Sequence, residues 1–165
     1  MQNLHTHTVR CGHARGTDRE YIESALRGGI TELGFSDHSY VDIESCDRGV
    51  FSARDEVVRD YVESIGKLRE EYQDKIRIRI GFETEYYPGC FPDARAYFRG
   101  MGIEYLILGQ HFCHDREGKI TYSGFPTESV ETLDEYLSTC LEGMRTGAFT
   151  YLAHPDLINF KGPQE

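Results

Sequence analysis

The sequence contains seven histidines, and two of them form a short motif near the start. His5 and His7 are two residues apart, so on an extended strand both side chains leave the same face and are able to hold one ion. Neutral imidazole is a good ligand for zinc, iron, manganese and cobalt. An isolated His-x-His pair is weak evidence, because polar residues at a strand end are the more common explanation. The pair predicts a metal site only if other ligands converge on it.

Four further candidate ligands each lie at the C-terminal end of a different predicted strand: His38, Glu83, His111 and His154. The carboxyl ends of parallel strands meet at one rim, where the βα loops build binding sites. A carboxylate there is able to bridge two cations, because it has two oxygens and a negative charge. His13 lies six residues beyond His7 in a loop, where a histidine taken alone is usually solvated.

Two other carboxylates stand beside these candidates. Asp37 precedes His38, and it is either a helix-cap residue or a partner that orients a ligand or protonates a leaving group. Glu85 shares the strand face of Glu83, so it is either an ordinary charged strand end or a second acid at the site. His114 and Asp115 fall in a predicted turn, and we expect them on the surface, outside the site.

Strand-like and helical patterns alternate along the chain and would position these residues. Strands are predicted to end at residues 5–7 and to cover residues 32–36, 76–85, 105–109 and 149–153. Helices are predicted from a capping box at residues 17–20 to the glycine pair at 28–29, over residues 52–72, and from residue 127 onward. This alternation predicts an α/β fold with a parallel sheet.

The composition limits the classes of partner. A chain of 165 residues and 18.9 kDa fits one domain. A formal charge of -10 and the lack of a Lys/Arg-rich run argue against long nucleic acid as a partner. Small phosphorylated molecules would be repelled too, unless bound divalent cations invert the potential locally.

Location and redox state are predicted from what the sequence does not contain. There is no apolar run of membrane-spanning length and no leader pattern, which predicts a soluble cytoplasmic protein that binds no membrane. The five cysteines are widely spread without a CxxC pair, so neither a disulfide framework nor a zinc ribbon fits. Most of them are expected to be reduced.

Five segments together carry a resemblance that no single motif would support. HTHTVRCGHA, GFSDHS, GFETEYYPG, LILGQHF and AHPD follow one another between positions 4 and 156. In this order they resemble the motifs of the polymerase and histidinol phosphatase (PHP) family, and the motif sequences are most similar to those of its histidinol phosphatase branch.

The resemblance implies a distorted (βα) barrel of seven strands, of which about five βα units are present in one domain over residues 1–165. It implies two or three divalent metal ions, zinc, manganese or iron, at the barrel rim. The implied ligands are His5 and His7 for the first ion, His111 and His154 for the second, Glu83 as their bridge, and His13 and His38 for a third.

The implied activity is hydrolysis of a small phosphate monoester, most closely L-histidinol phosphate in histidine biosynthesis. Glu85 would then face the ammonium group of that substrate. A PHP phosphoesterase acting on nucleotides is the alternative within the family. A non-catalytic metal-binding module is the alternative outside it.

One family motif is not found. A later Asp-x-His segment, whose Asp serves the first ion and whose His serves the third, has no match, and residues 159–165 are predicted to form no closing strand. We therefore expect either a fragment of a longer product or an oligomer in which another chain supplies the missing ligands. Fewer than three metal ions are expected to bind tightly.

Overall fold

The computed structural model describes residues 1–162. Its central element is a parallel sheet. Its strands, in spatial order, are β1 (Gln2–Asn3), β2 (Glu32–His38), β3 (Arg77–Thr84) and β4 (Tyr105–Leu108). Beyond β4, Leu152 pairs with Leu108 in a single parallel bridge, and the Ala153 N–H donates to the Leu108 carbonyl at 2.8 Å. The strand predicted over residues 149–153 is thus in its expected place, but it is reduced to one bridge.

The first strand is shorter than predicted. β1 ends at Asn3 rather than at residues 5–7. The chain nevertheless continues beside β2, since the Ser36 N–H donates to the Thr6 carbonyl at 2.9 Å and the Thr6 N–H donates to Ser36 Oγ at 3.2 Å. The His5–His7 pair is therefore held against the sheet without belonging to a regular strand.

Within the described part of the chain there are five α-helices: α1 (Asp18–Arg27), α2 (Ile43–Asp47), α3 (Asp55–Glu71), α4 (Phe91–Gly100) and α5 (Val130–Arg145). The capping box before α1 is confirmed, with Thr17 and Glu20 in reciprocal hydrogen bonds. α3 begins at Asp55 rather than at residue 52, and α5 begins at Val130 after the cap residue Ser129 rather than at residue 127. α2 and α4 are not predicted by the sequence pattern.

The main core lies between α3 and the convex face of the sheet. Val58, Tyr61 and Ile65 are fully buried on one side of α3. They meet the apolar face of β3, where the rings of Tyr61 and Phe82 stack with centroids 5.2 Å apart. This is the packing that the periodicity of both segments predicts.

The opposite face of the sheet curls around one tyrosine. The hydroxyl of Tyr105, on β4, lies 2.9 Å from the carbonyl oxygens of both Leu4 and Phe35, which belong to the far side of the sheet. Neighbouring strands are about 4.8 Å apart, so in a flat sheet the Leu4 carbonyl would lie too far from β4 for one side chain to contact it. Gly34 and Gly81 lie directly under the ring, and a Cβ at either would overlap it. The sheet is therefore the curved wall of a partial barrel.

One connection past β4 differs from the predicted pattern. A hairpin of β5 (Phe112–His114) and β6 (Ile120–Tyr122) replaces the expected turn. His114 is half-buried within it rather than a free surface residue, whereas Asp115 lies in the hairpin turn. Further on, Phe160 pairs with Thr127 in an isolated bridge, and residues 159–162 form no closing strand, as predicted; residues 163–165 of that prediction lie outside the described residues.

One disulfide links α2 to the residue that precedes α4. Cys46 in α2 is bonded to Cys90, the residue before α4, with Cα atoms 5.3 Å apart. Cys11, Cys113 and Cys140 are free, as expected for most of the cysteines. The 44-residue separation of the bonded pair carries no local signal in the sequence. Among residues 1–162, no helix is both long and apolar enough to span a bilayer.

Candidate metal centre

A single buried carboxylate, Glu83 near the end of β3, stands at the centre of the site and is 1% exposed. Its Oε2 lies 3.2 Å from His5 Nε2 and 3.1 Å from His7 Nε2. Its Oε1 lies 2.7 Å from His154 Nε2 and 3.6 Å from His111 Nε2. The two oxygens of one carboxylate therefore face two different pairs of imidazoles.

The strand ends bring these side chains together. His38 is the last residue of β2, and its Nδ1 is 3.7 Å from Glu83 Oε2. His111 follows β4, and His154 follows the segment that pairs with β4. His154 has a φ of 29°, a backbone conformation that is costly for a residue with a side chain and that clusters at functional sites.

His13 approaches from a separate loop. A short 3-10 helix, Val9–Cys11, is capped by Thr8 and ends at Gly12, whose φ of 85° suits glycine. The turn directs His13 towards the site, with its ring centroid 5.0 Å from that of His7 and 5.1 Å from that of His38. The structure thus brings all seven predicted ligands to one place.

Asp37 is held behind the ligands rather than among them. It is 0% exposed, and its Oδ1 lies 3.3 Å from His7 Nδ1. Its Oδ2 accepts hydrogen bonds from the Thr8 N–H at 3.3 Å and from the Tyr40 hydroxyl at 2.6 Å. A carboxylate in this position orients His7, and it does not line the cavity, which argues against a role in protonating a leaving group.

Glu85 lies just beyond β3 and makes a similar contact. Its Oε1 is 2.8 Å from His111 Nδ1. Burial lowers the pKa of His111, but the hydrogen bond to Glu85 and the charges of Glu85 and Glu83 outweigh burial and raise it. Each imidazole pair around Glu83 thus has one member fixed by a second carboxylate.

The charges in the cluster depend on one another. Burial disfavours the ionised form of Glu83, yet hydrogen bonds from His5 and His7 and the charges of His111 and His5 hold its pKa well below the usual range. Burial lowers the pKa of His7 as well, but its bonds to Asp37 and Glu83 raise it to about 9. Burial and the nearby charge of His111 lower the pKa of His38 to about 4, which keeps that imidazole neutral.

The donor set fits divalent cations. Three groups of side chains have ligand atoms within 4.8 Å of one another: His5, Glu83 and His154; His7, His38 and Glu83; and His7, Cys11 and His13. The Nδ1 of His154 is buried without a hydrogen-bond partner. Imidazole nitrogens around a carboxylate suit zinc, manganese and iron.

The cluster opens into a cavity of about 750 Å³. The histidines, Glu83 and Glu85, together with Cys11 and Ser39, are one part of its lining. The rest consists of apolar and aromatic residues and one basic residue: Tyr40, Val41, Ile43, Arg54, Phe112, Tyr122 and Leu157. A lining of both kinds suits a small polar molecule with an apolar part.

Sequence reasoning did not identify Cys11, Tyr40 or Arg54 as parts of this site. Cys11 lies within the HTHTVRCGHA segment, so its spacing from His7 and His13 was a usable signal. Tyr40 has a φ of 57° and Arg54 precedes a helix, and neither feature is visible in a periodicity.

Known proteins resemble this chain in sequence and in fold. A Deinococcus radiodurans protein described as a probable histidinol-phosphatase is 27% identical, over 93% of this chain and 59% of its own length. The solved hisK structure from Listeria monocytogenes superposes with a TM-score of 0.75 at 18% identity, covering 96% of this chain and 68% of that one.

The histidinol phosphate phosphatase of Lactococcus lactis, solved with zinc, L-histidinol and phosphate, superposes with a TM-score of 0.70 at 21% identity, covering 99% of this chain and 60% of that one. The chain spans about three fifths of the length of the curated relatives that it matches. These neighbours have the distorted (βα) barrel fold that the motifs predict.

The model of the PHP domain matches residues 3–165, which is nearly the whole chain. The match includes every strand end from which a candidate ligand projects. Fold, motif order and family model agree, and the chain belongs to the PHP family.

Proposed function

We propose that this chain hydrolyses a small phosphate monoester, converting L-histidinol phosphate and water to L-histidinol and phosphate. The observation that carries the proposal is the buried Glu83 carboxylate, whose two oxygens face different histidine pairs at an open cavity. Family membership supports it, as does the Lactococcus neighbour solved with L-histidinol and phosphate. The chain spans only part of the length of its relatives. The proposal therefore includes the statement that these 165 residues are active by themselves.

Two or three divalent ions, zinc, manganese or iron, complete the proposed site. His5, His7 and Glu83 would hold the first ion, Glu83, His111 and His154 the second, and His13 and His38 the third. Bound cations supply Lewis-acid chemistry, because they lower the pKa of water and offset charge on phosphoryl oxygens. The protein keeps the ligands oriented, with Asp37 against His7 and Glu85 against His111.

The cavity suits the rest of the substrate. Phe112, Tyr122 and Leu157 form an apolar surface on which the imidazole ring and carbon chain of histidinol would pack. Glu85 uses Oε1 for His111, which leaves Oε2 for the substrate ammonium group. This arrangement is the physical basis for preferring histidinol phosphate to a phosphate ester without a positive charge.

Phosphate release from the metal-loaded chain tests the proposal. Separate samples with zinc and with manganese are given L-histidinol phosphate or adenosine monophosphate, and free phosphate is measured over time. We expect at least about tenfold higher kcat/KM for L-histidinol phosphate, which corresponds to about 1.4 kcal/mol of preferential transition-state binding. Glu83→Gln should abolish turnover, whereas Glu117→Gln, in the exposed hairpin turn, should not change it.

Two results would replace the proposal with its alternatives. Preference for the nucleotide would indicate a PHP phosphoesterase of nucleotide type. Tight metal binding with no hydrolysis of either ester would indicate a non-catalytic metal-binding module.

The compartment and the assembly state are separate proposals. A single domain over residues 1–165 and a possible oligomer stay predictions of the sequence. A cytoplasmic location also stays a prediction, and the Cys46–Cys90 bond is uncommon for that compartment. Counting free thiols after rapid alkylation of intact cells would distinguish a reduced pair from an oxidised one.

A further inference from the structure

Arg54 is the only lysine or arginine among the described residues that line the cavity. It immediately precedes α3 and is exposed. The acidic residues of the lining, Glu83 and Glu85, already contact histidines. A single basic side chain in this lining stands out in a chain of formal charge -10.

Arg54 is held in place by Tyr40. Its guanidinium carbon lies 5.3 Å from the centre of the Tyr40 ring, a cation–π contact that favours a fixed orientation. The Arg54 N–H donates to the Tyr40 carbonyl at 3.1 Å, and an adjacent antiparallel bridge joins Val41 to Ala53. Main chain and side chain thus bind Arg54 to the segment that follows β2.

The guanidinium of Arg54 has no carboxylate within ion-pair distance in residues 1–162. By contrast, two arginines that line a different cavity are ion-paired: Arg10 pairs with Asp18 and Asp60, and Arg19 pairs with Glu71. A guanidinium has five N–H donors in a planar fork that matches a phosphate group. The donors of Arg54 therefore remain available to an anion in the cavity.

Tyr40 connects this arginine to the ligand cluster. It is 7% exposed and has a φ of 57°, a strained conformation for a residue with a side chain. Its hydroxyl donates to Asp37 at 2.6 Å, and Asp37 in turn contacts His7. One face of the ring thus supports Arg54 while the hydroxyl is fixed to the partner of a candidate ligand.

We propose that Arg54 binds the phosphate group of the substrate and that Tyr40 is the residue that positions it. The inference rests on the proposed function, because it assigns a phosphate-binding side chain to the same cavity. It requires no covalent step, since the guanidinium donates hydrogen bonds to phosphate oxygens both in the substrate and in the released product.

Binding of inorganic phosphate to the zinc-loaded chain tests the inference without requiring turnover. Titration calorimetry gives the Kd for the unchanged chain, for Arg54→Ala and for Arg48→Ala, and elemental analysis gives the zinc content of each. Arg48 is a matched control, because it is exposed and close in sequence but does not line the cavity. We expect Arg54→Ala to weaken phosphate binding by about tenfold to a hundredfold at unchanged zinc content, the range for hydrogen bonds to a charged group. Arg48→Ala should bind as the unchanged chain does.

Conservative variants separate a specific role from a general charge effect. Arg54→Lys keeps the charge but loses the planar fork, so it should recover only part of the affinity. Tyr40→Phe keeps the ring beneath the guanidinium and should bind phosphate nearly as well as the unchanged chain, whereas Tyr40→Leu should bind less well. Equal phosphate affinity in Arg54→Ala and Arg48→Ala would overturn the inference, as would a zinc-loaded chain that binds no phosphate.

The inference and the proposed function fail in different ways. If the chain binds phosphate through Arg54 but hydrolyses no ester, the assignment of Arg54 stands and the phosphatase proposal does not. If the chain hydrolyses L-histidinol phosphate and Arg54→Ala changes neither KM nor the phosphate Kd, the phosphatase proposal stands and the assignment of Arg54 does not.

Discussion

Asp37 shows how one side chain outside the cavity controls a residue inside it. Four groups contact its two oxygens besides the Thr8 hydroxyl, namely the imidazole of His7, the Thr8 N–H, the His38 N–H and the Tyr40 hydroxyl. Burial raises the pKa of Asp37, but these hydrogen bonds outweigh burial and lower it, so the carboxylate is charged at neutral pH. The charge fixes one ring nitrogen of His7 and leaves Nε2 directed towards Glu83.

Asp37→Asn removes this charge with little change in shape. An amide fixes the imidazole less firmly and makes it a weaker ligand, so we expect zinc affinity to fall by about tenfold to a hundredfold. Competition with a chromophoric chelator measures the affinity. Asp42→Asn, at an exposed position nearby, is the control and should bind zinc as the unchanged chain does. Equal affinities for the two variants would show that Asp37 does not act through His7.

The meeting of the candidate ligands at one place was predictable from the sequence, whereas their surroundings were not. His5, His7 and Glu83 are identifiable because spacing and strand ends place them at one rim. Tyr40 and Arg54 meet through a backbone conformation and an irregular loop, which leave no periodic pattern. The contact of Asp37 with His7 spans 30 residues and depends on how two strands lie against each other.

At the scale of elements, close contact between β3 and the end of β4 fixes the central carboxylate. A Cβ at Gly109, the residue after β4, would overlap the Glu83 side chain. Glu83 is buried against the imidazoles, so it has little space into which it could move. Gly109 therefore helps to set the position of this carboxylate, because it leaves the space that the Glu83 side chain occupies.

Gly109→Ala should disturb the site more than the fold. We expect at least about tenfold weaker zinc binding, because the displaced carboxylate no longer faces both histidine pairs. Gly66→Ala in α3 is the matched control, since a Cβ there meets no atom within 4 Å. The control should leave zinc binding unchanged and stabilise the helix by about 0.4–1 kcal/mol. Chelator competition and urea unfolding of both variants provide the test, and unchanged zinc binding in Gly109→Ala would contradict it.

His114 links two helices through the hairpin. Its Nε2 lies 2.8 Å from Asp47, at the end of α2, and its Nδ1 lies 2.5 Å from Glu135 in α5. Burial lowers the pKa of this imidazole, but the hydrogen bond and charge of Glu135 and the charge of Asp47 outweigh burial and raise it above 6.5. The charged form is therefore more stable in the folded protein than in the unfolded chain.

The resulting stability depends on pH in a definite direction. A raised folded pKa gives a contribution that is complete below the unfolded value of 6.5 and is lost as the pH rises through the folded value. His114→Gln should therefore destabilise the fold more at about pH 6 than at about pH 9. Urea unfolding at both pH values, with Glu117→Gln as the control, measures the difference. An equal loss at both pH values would show that packing rather than charge accounts for the role of His114.

Helices and strands with strong patterns were predictable, and the short ones were not. α3 has a full apolar stripe, and α1 has a capping box. α4 follows Pro88 and Gly89 and has Pro92 in its first turn, so the sequence resembles a turn. β5 and β6 have three residues each, too few for an alternating pattern, and their pairing depends on neighbours elsewhere in the chain.

For the whole molecule, the number of donors limits how many ions are held firmly. A catalytic zinc site commonly uses three protein ligands and leaves one position open. In the proposed site, Glu83 with His5 and His7 would satisfy one ion, and Glu83 with His111 and His154 would satisfy another, because each carboxylate oxygen faces its own pair. His13 and His38 would remain for a third ion, with Cys11 as a further donor near His13.

Zinc stoichiometry after dialysis tests this count. We expect about two ions per chain to remain, and the third to be lost at low free zinc, because it has fewer protein ligands. Elemental analysis combined with light scattering gives the number of ions and the mass of the particle in one sample. His154→Ala should remove one of the tightly held ions, whereas His13→Ala should leave both. Three retained ions in a monomer would contradict the donor count, and three in a dimer would indicate that a second copy supplies the missing ligands.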